Sequence, residues 1–501
     1  MMGPTQERET KLFHYGINLE KRIRGNNPLR QIDAAVDFRF VREKVKDLYG
    51  RDGHESEDPI VIMKLMLLLF MDNISSEREL MRIVGERLDY LWFLRMDLDD
   101  EIPNHSVLSK ARRRWGSGVF EELFVRTVQA CVEAGVVEGS KIHMDGSLVT
   151  ANASRESVQG GAAELIAQLR AVYRREETKL DDGGSDEGGQ SQSVQVRATT
   201  VSRTDPDAAI VGRRGGEPAR PRYKNHRAVD DQCGVITAVC TTPGDVGEDE
   251  KLMELVDQHQ QHTGETVKTV VGDSQYGTNG NYAGCQQRGI RSHMADFTAV
   301  YANSGNRKGI FQEKDFHYDS QSDTYICPAG KQLKRAKNPD RQYLVYRGNR
   351  KLCGGCWLRS QCTRSKHWRT VKRYIHYEQA QQGRAESRSG WAKRDRKRRK
   401  HLMEGSFGDA ATNHGFKRAR WRGLEHQGIQ DWLIATCQNI RILTRTGGRR
   451  IANAQAVGIP VTAVEIDGMR HYIAGRSLLR RSMVNPASTV LTSKLFIKLL
   501  I

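Results

Sequence analysis

Residues 266–273 read Thr-Val-Lys-Thr-Val-Val-Gly-Asp, a run of β-branched side chains that closes on an acid, Asp273. β-Branched residues fit the pleated, buried surface of a sheet, so the run predicts a strand. A loop over 274–280, a helix over 282–288 and a second strand over 290–294 follow in the pattern. Strand, loop, helix and strand in this order constrain the chain to an α/β layer. The carboxyl end of a buried strand is also where α/β sheets gather reactive groups. Asp273 is therefore either a site residue or an ordinary strand-end acid, and the rest of the chain has to decide.

Two further acids stand in unusual places. Residues 141–150 alternate as a strand, with Asp145 in the middle; a mid-strand acid needs a partner unless Asp145-Gly146 marks a turn. Residues 222–229 and 234–241 read as a hairpin around Asp230-Asp231-Gln232-Cys233, whose acids belong to the turn. Glu404 follows a basic run, Lys393-Arg394-Asp395-Arg396-Lys397-Arg398-Arg399-Lys400. At helical spacing Lys393, Lys397, Lys400, Glu404 and Gly408 share one face. A carboxylate on a phosphate-binding face makes sense if a cation bridges it to the phosphate. The alternative is an i,i+4 ion pair between Lys400 and Glu404 on a solvated helix.

The length of 501 residues predicts two or three domains, and the formal charge of +18 points to a polyanion partner, nucleic acid being the commonest. The start of the chain carries no secretory pattern, and the apolar run 60–71 contains Lys64 and is too short to span a bilayer, so it reads as a buried helix. Nine cysteines, five of them scattered, suit reduced thiols in a cytoplasmic protein. An irregular arm over 1–30 leads into a helical region from Asp33 to about Gly135. A helix start at Ser75-Ser76-Glu77 and a basic helix over 107–115 with Lys110, Arg112, Arg113 and Arg114 exposed form either a helix-turn-helix or part of a plain bundle. Residues 181–185 read as a flexible insertion.

Cys327, Cys353, Cys356 and Cys362 lie in a small β-rich stretch over 300–385, where they are either structural zinc ligands or free thiols. Lys417, Arg418, Arg420 and Arg422 interleave with Phe416 and Trp421, which suits a nucleic-acid backbone with base stacking, or else a solvated end with both aromatics buried. An amphipathic helix over 430–443 follows, Gly447-Gly448 reads as a boundary, and residues 449–501 carry no readable motif.

Taken together, Met144-Asp145-Gly146-Ser147, Gly272-Asp273-Ser274-Gln275-Tyr276-Gly277 and Met403-Glu404-Gly405-Ser406-Phe407-Gly408 resemble the DDE motifs of bacterial insertion-sequence transposases with a ribonuclease-H-like catalytic domain. The stretches 223–230 and 438–441, and the cysteine insert, share the likeness, which covers roughly residues 30–445. It implies an α/β fold: a ribonuclease-H-like mixed sheet flanked by helices over 136–446, an all-α DNA-end-binding domain over 1–135, the cysteine insert, and a tail over 447–501. It also implies metal-dependent cutting at transposon ends and strand transfer into target DNA. Asp145, Asp273 and Glu404 would then share two Mg²⁺ or Mn²⁺ ions about 4 Å apart. Lys393, Arg394, Lys397, Arg398 and Lys400, with Lys417, Arg418, Arg420 and Arg422, would hold double-stranded DNA, in a homodimer on paired ends. Many relatives have a lysine seven residues after the glutamate, where this chain has Ala411, a place that Lys417 or Arg418 would have to serve. The rival expectations are a DNA-binding protein without chemistry and a nuclease that cuts without joining.

Overall fold

The computed structural model describes residues 18–50, 55–161, 200–212, 218–296, 308–336, 342–365, 367–456, 461–466 and 469–474, and a few isolated positions. Most of the expected arm and the whole insertion at 181–185 lie outside the described residues. Where the arm is described it is helical, at Leu19–Arg22 and from Pro28, each start capped by an asparagine side chain.

Helix α1 (Pro59–Met71) is the expected buried helix. Asp58 caps it, Pro59 opens it, and residues 59–70 are all buried. Its one charge is satisfied: Lys64 Nζ donates to Asp33 Oδ1 at 2.7 Å and to the Phe93 carbonyl at 2.8 Å, which is what makes a buried ammonium tolerable. Around it stand α2 (Glu77–Val84), α3 (Leu88–Leu94), α4 (Ser106–Trp115) and α5 (Gly118–Glu133). Helix α3 separates α2 from the basic α4, so those two are not the consecutive pair of a helix-turn-helix. Arg112, expected outside, is buried against Glu77 and lies 3.9 Å over the Trp421 ring. The core of these helices continues without a break into Val149, Tyr223, Phe416, Leu433 and Ile440. The expected boundary at 135/136 therefore divides helices from strands along the chain without dividing their cores.

The main sheet contains β1 (Lys141–Thr150), β2 (Arg220–Asp230), β3 (Ile236–Pro243), β4 (Thr269–Val271) and β5 (Arg291–Ser292). Along its central path the order is β3-β2-β1-β4-β5, antiparallel across the first three and parallel across the last three. A short strand, Ala209–Val211, also pairs with β2. One face packs Ile142, Met144, Ala228 and Val270 against α6 (Leu252–Thr263) and α7 (Asn279–Gln287). The other packs Val229 and Val239 against Phe124 of α5 and against Met403 and Ala435. The switch of face between Ala228 and Val229 is the two-residue period of a strand. The fold is thus a mixed α/β layer with helices on both faces.

The cysteine stretch forms its own antiparallel five-stranded sheet over a core of Phe316, Tyr325, Leu333, Tyr346 and Val371. The chain returns through α8 (Tyr377–Ser387), α9 (Gly390–His414) and α10 (Leu424–Ala456). Helix α10 runs straight through Gly447 and Gly448, where a boundary was expected. A helix-interior glycine costs about 1 kcal/mol against alanine, which weakens a helix without ending it. Of the tail, the strands Val461–Ile466 and Met469–Ala474 pair antiparallel.

Candidate active site

The register between β1 and β4 builds the site. His143 lies opposite Val271 across this parallel pair, so two residues further on Asp145, midway along β1, stands beside Asp273, just past the end of β4. Each is held by a nearby backbone amide: Asp145 Oδ1 accepts from the Gly146 amide of its own strand at 2.9 Å, and Asp273 Oδ1 from the Gln275 amide of the following loop at 2.7 Å. The structure thus joins two of the three acids read from the sequence, and Asp145 is in a strand and not a turn.

The third member of the cluster is a residue the sequence reading passed over. Glu248 stands immediately before the turn into α6, and one carboxylate oxygen from each of Asp145, Glu248 and Asp273 lies within 4.8 Å of the others. Burial, then the charges of Asp145 and Asp273, push the Glu248 carboxyl up to about 8. Burial also raises Asp145, against the opposing pull of Arg399. Three acids packed this way repel one another, and a cation is the simplest relief.

Glu404 is not among them. It is on α9 as expected, but its side chain is 69% exposed and stands 3.9 Å from Lys400. The reason is helical phase. The inward face of α9 carries Ala392, Asp395, Met403 and Ala410, and Glu404, one residue past Met403, is turned about 100° away. Other charges of the basic run instead fasten the helix to the sheet. Arg399 Nη1 donates to Asp145 Oδ2 at 2.8 Å, Lys141 Nζ is 3.1 Å from Asp395 Oδ1, and Arg398 pairs with Asp231. Asp230 and Asp231 are structural, as the hairpin reading expected: Asp230 accepts from the Gly139 and Gln232 amides, and Asp231 meets His143 at 2.7 Å.

Lys393, Arg394, Lys397, Arg398 and Lys400 are all exposed, as are Lys417, Arg418 and Arg422. Lys417 reaches the site: its Nζ donates at 2.8 Å to Ser147 Oγ, two residues beyond Asp145, because the main chain of Lys417 and Ala419 bonds to Thr150 at the end of β1. Arg420 does not belong to the exposed set. It donates to the Ile74 carbonyl and lies 4.7 Å from the Phe70 ring, and burial lowers its guanidinium to about 10. Nor are the neighbouring aromatics open for stacking: Phe416 is buried, and Trp421 packs edge-on to Phe70 and donates to Glu77. The aromatic that does stand on the basic face is Trp391, 71% exposed with Arg394 over its ring.

The four thiols of the insert are free and half-buried. Burial raises Cys362, and the nearby Cys327, Cys353 and Cys356 push the same way against Arg369. The Lys331 amide points at Cys327 Sγ from 3.4 Å. Among the described residues only the acid cluster gathers three ligand atoms within 4.8 Å, so the sulfurs stand more openly than in a closed zinc site. No helix among the described residues is long and apolar enough to cross a membrane.

Comparison with known families gives two matches. A transposase domain model (DUF772) matches residues 17–114, the helices before the sheet, and a transposase DDE domain model matches residues 326–444, from the insert through α9 into α10. The second match contains Glu404, whereas Asp145, Glu248 and Asp273 lie between the two. No curated protein matches the chain. The two matches, one on each side of the acid cluster, group this chain with the DDE-type insertion-sequence transposases.

Proposed function

We propose that this protein is a DNA transposase that cuts at the ends of its element and joins the freed 3′-hydroxyl to target DNA. The observation that carries the reading is the register of the central parallel pair β1–β4, which sets Asp145 in β1 beside Asp273 just past the end of β4. The sheet order β3-β2-β1-β4-β5 supports a ribonuclease-H-like catalytic unit.

Hard carboxylate oxygens suit Mg²⁺ or Mn²⁺, and the crowding of Asp145 and Asp273 with a third buried acid fits a divalent cation. Such an ion, when bound, activates the attacking oxygen and stabilises the leaving one in an in-line displacement at phosphorus. The chain's own residues do the rest. Asp145 and Asp273 would hold the cation and, through it, the reacting phosphate. Lys417, beside Ser147, takes a phosphate oxygen there and so serves the place of the lysine replaced by Ala411. Arg399, which pairs with Asp145 in the DNA-free chain, is released toward the DNA backbone. Glu404 is the family-implied third acid, and it joins the other two when DNA on the basic face draws α9 round. Two copies on paired ends would bring two such sites together.

The test is strand transfer from end DNA to a plasmid, with and without Mg²⁺ or Mn²⁺. Joined product that requires the metal supports the reading; cleavage without joining favours a simple nuclease, and retarded DNA with no product favours a binding protein. The basic face makes a separate prediction. Replacing Lys393, Lys397 and Lys400 together by alanine should flatten the slope of log affinity against log salt by about 2.7, at about 0.9 for each lost phosphate contact. An unchanged slope places the DNA elsewhere.

We also infer that Cys327, Cys353, Cys356 and Cys362 close on one structural zinc ion, which a four-thiolate set holds with no position open for chemistry. Purified protein should carry about one zinc per chain, and Cys356→Ser should lose it; equal zinc content in both proteins removes the site.

A further inference from the structure

We infer that Glu248 is a metal ligand of this chain, and that Asp145, Glu248 and Asp273 form a divalent-cation site before any DNA is bound. The inference rests on the proposed transposase reading and adds a residue to it.

Proximity of three acids alone would not carry this, since carboxylates cluster on many surfaces. Glu248 is not on a surface. Only 7% of it is exposed, and its Oε2 has no hydrogen-bond partner among the described residues. A buried carboxylate oxygen left without a donor costs free energy. Two cations act on Glu248 without bonding that oxygen: Lys224 is turned to the Val246 carbonyl at 2.6 Å, and Arg399 to Asp145 Oδ2 at 2.8 Å. A second orphan faces the same acids. The Tyr276 hydroxyl is fully buried, has no hydrogen-bond partner among the described residues, and feels the charges of Glu248, Asp145 and Asp273. A phenol that donates to a water or phosphate beside the acids would be satisfied in the loaded site.

The backbone is shaped to admit both groups. A Cβ at Gly146 would stand 2.9 Å from Glu248 Cγ, Cδ and Oε1. A Cβ at Gly272 would stand 2.9 Å from Tyr276 Cβ and 3.0 Å from its ring. The residue after Asp145 and the residue before Asp273 are thus the two places where any side chain would expel Glu248 or Tyr276. A purely structural reason for this crowding is hard to find, because an apolar residue at 248 would pack there without repelling Asp145 and Asp273.

Glutamine at 248 separates the two possibilities, since it keeps the shape and removes only the charge. Mn²⁺ binding to the full chain without DNA would be followed by calorimetry and by the metal-induced rise in melting temperature. Wild type is expected to bind and be stabilised. Glu248→Gln is expected to melt no lower than wild type without metal, to bind Mn²⁺ at least tenfold more weakly, and to lose most of the metal-induced rise. Glu254→Gln, on the helix that follows Glu248 and paired with Lys251, should leave affinity within twofold of wild type. If Glu248→Gln binds Mn²⁺ within twofold of wild type while Asp273→Asn does not, the role of Glu248 is overturned and the transposase reading stands. If wild type binds no Mn²⁺ without DNA, the preformed site is overturned, and strand transfer judges the function by itself.

Discussion

Asp273→Asn should reduce strand transfer by about 10³-fold, close to 4 kcal/mol of barrier, while DNA affinity stays within a few fold. The substitution is a clean one here. Asparagine keeps the oxygen that accepts from the Gln275 amide, so the loop after β4 keeps its shape and only the charge goes. Asp145→Asn should fail as badly, with a further effect: the partner of Arg399 is lost, so α9 is held less firmly. Glu404→Gln is the informative third variant. Its side chain is in solvent beside Lys400 in the DNA-free chain, and loss of product with retained DNA affinity would mean that it moves to the site once DNA is bound. Product within twofold of wild type would leave Glu404 as a surface ion pair and pass the third position to Glu248. Full activity in Asp273→Asn would sink the acid-cluster assignment altogether.

What was legible in the sequence, and what was not, follows from how local each signal is. Asp145 and Asp273 could be found because an acid in or at the end of a β-branched run is locally out of place. That they meet depends on a parallel register, which no local pattern encodes. Glu248 was invisible for the opposite reason. It sits among Asp245, Asp249 and Glu250, where acids before a helix suit the helix dipole and call for no other explanation. Its one faint trace is Gly146, a strand glycine with a close neighbour. The face of α9 was legible, and all five of its positions, from Lys393 to Gly408, are exposed. Which side of a helix that is basic nearly all round meets the sheet was not, because Asp395 and Arg399 turn inward only to meet Lys141, His293 and Asp145. Arg112 and Arg420 misled similarly: arginines in basic runs read as solvated, but Arg112 is buried against Glu77 and Trp421, and Arg420 is half-buried over Phe70, partners from distant parts of the chain.

The stretches 223–230 and 438–441, part of the family likeness, turn out to touch each other, and they carry the second large expectation. Arg227 lies opposite Asp145 in the β1–β2 register and is completely buried. It donates to Asn225 Oδ1 at 2.9 Å, to Ser406 Oγ of α9 at 3.0 Å and to Gln438 Oε1 of α10 at 3.1 Å, and it lies 4.3 Å from the Phe407 ring. Burial lowers this guanidinium to about 10, against the favourable charges of Asp431, Asp145 and Asp409. One side chain thus ties the central sheet to both C-terminal helices. Asn439 adds a second tie by exchanging hydrogen bonds with the Ile236 backbone. Removing one member of a buried polar set leaves the others unsatisfied, which typically costs about 3–5 kcal/mol. Arg227→Ala should therefore unfold at clearly lower urea than wild type, and DNA binding should fall with it. Arg227→Lys keeps the charge but not the fork of donors, so it should recover only part of the loss. Arginine on the basic face should behave differently: Arg394→Ala should weaken DNA binding at low salt with the urea midpoint unmoved. If Arg227→Ala instead keeps wild-type stability and loses only strand transfer, Arg227 acts on the chemistry through Asp145, and the likeness in these two stretches marks the site and not the fold.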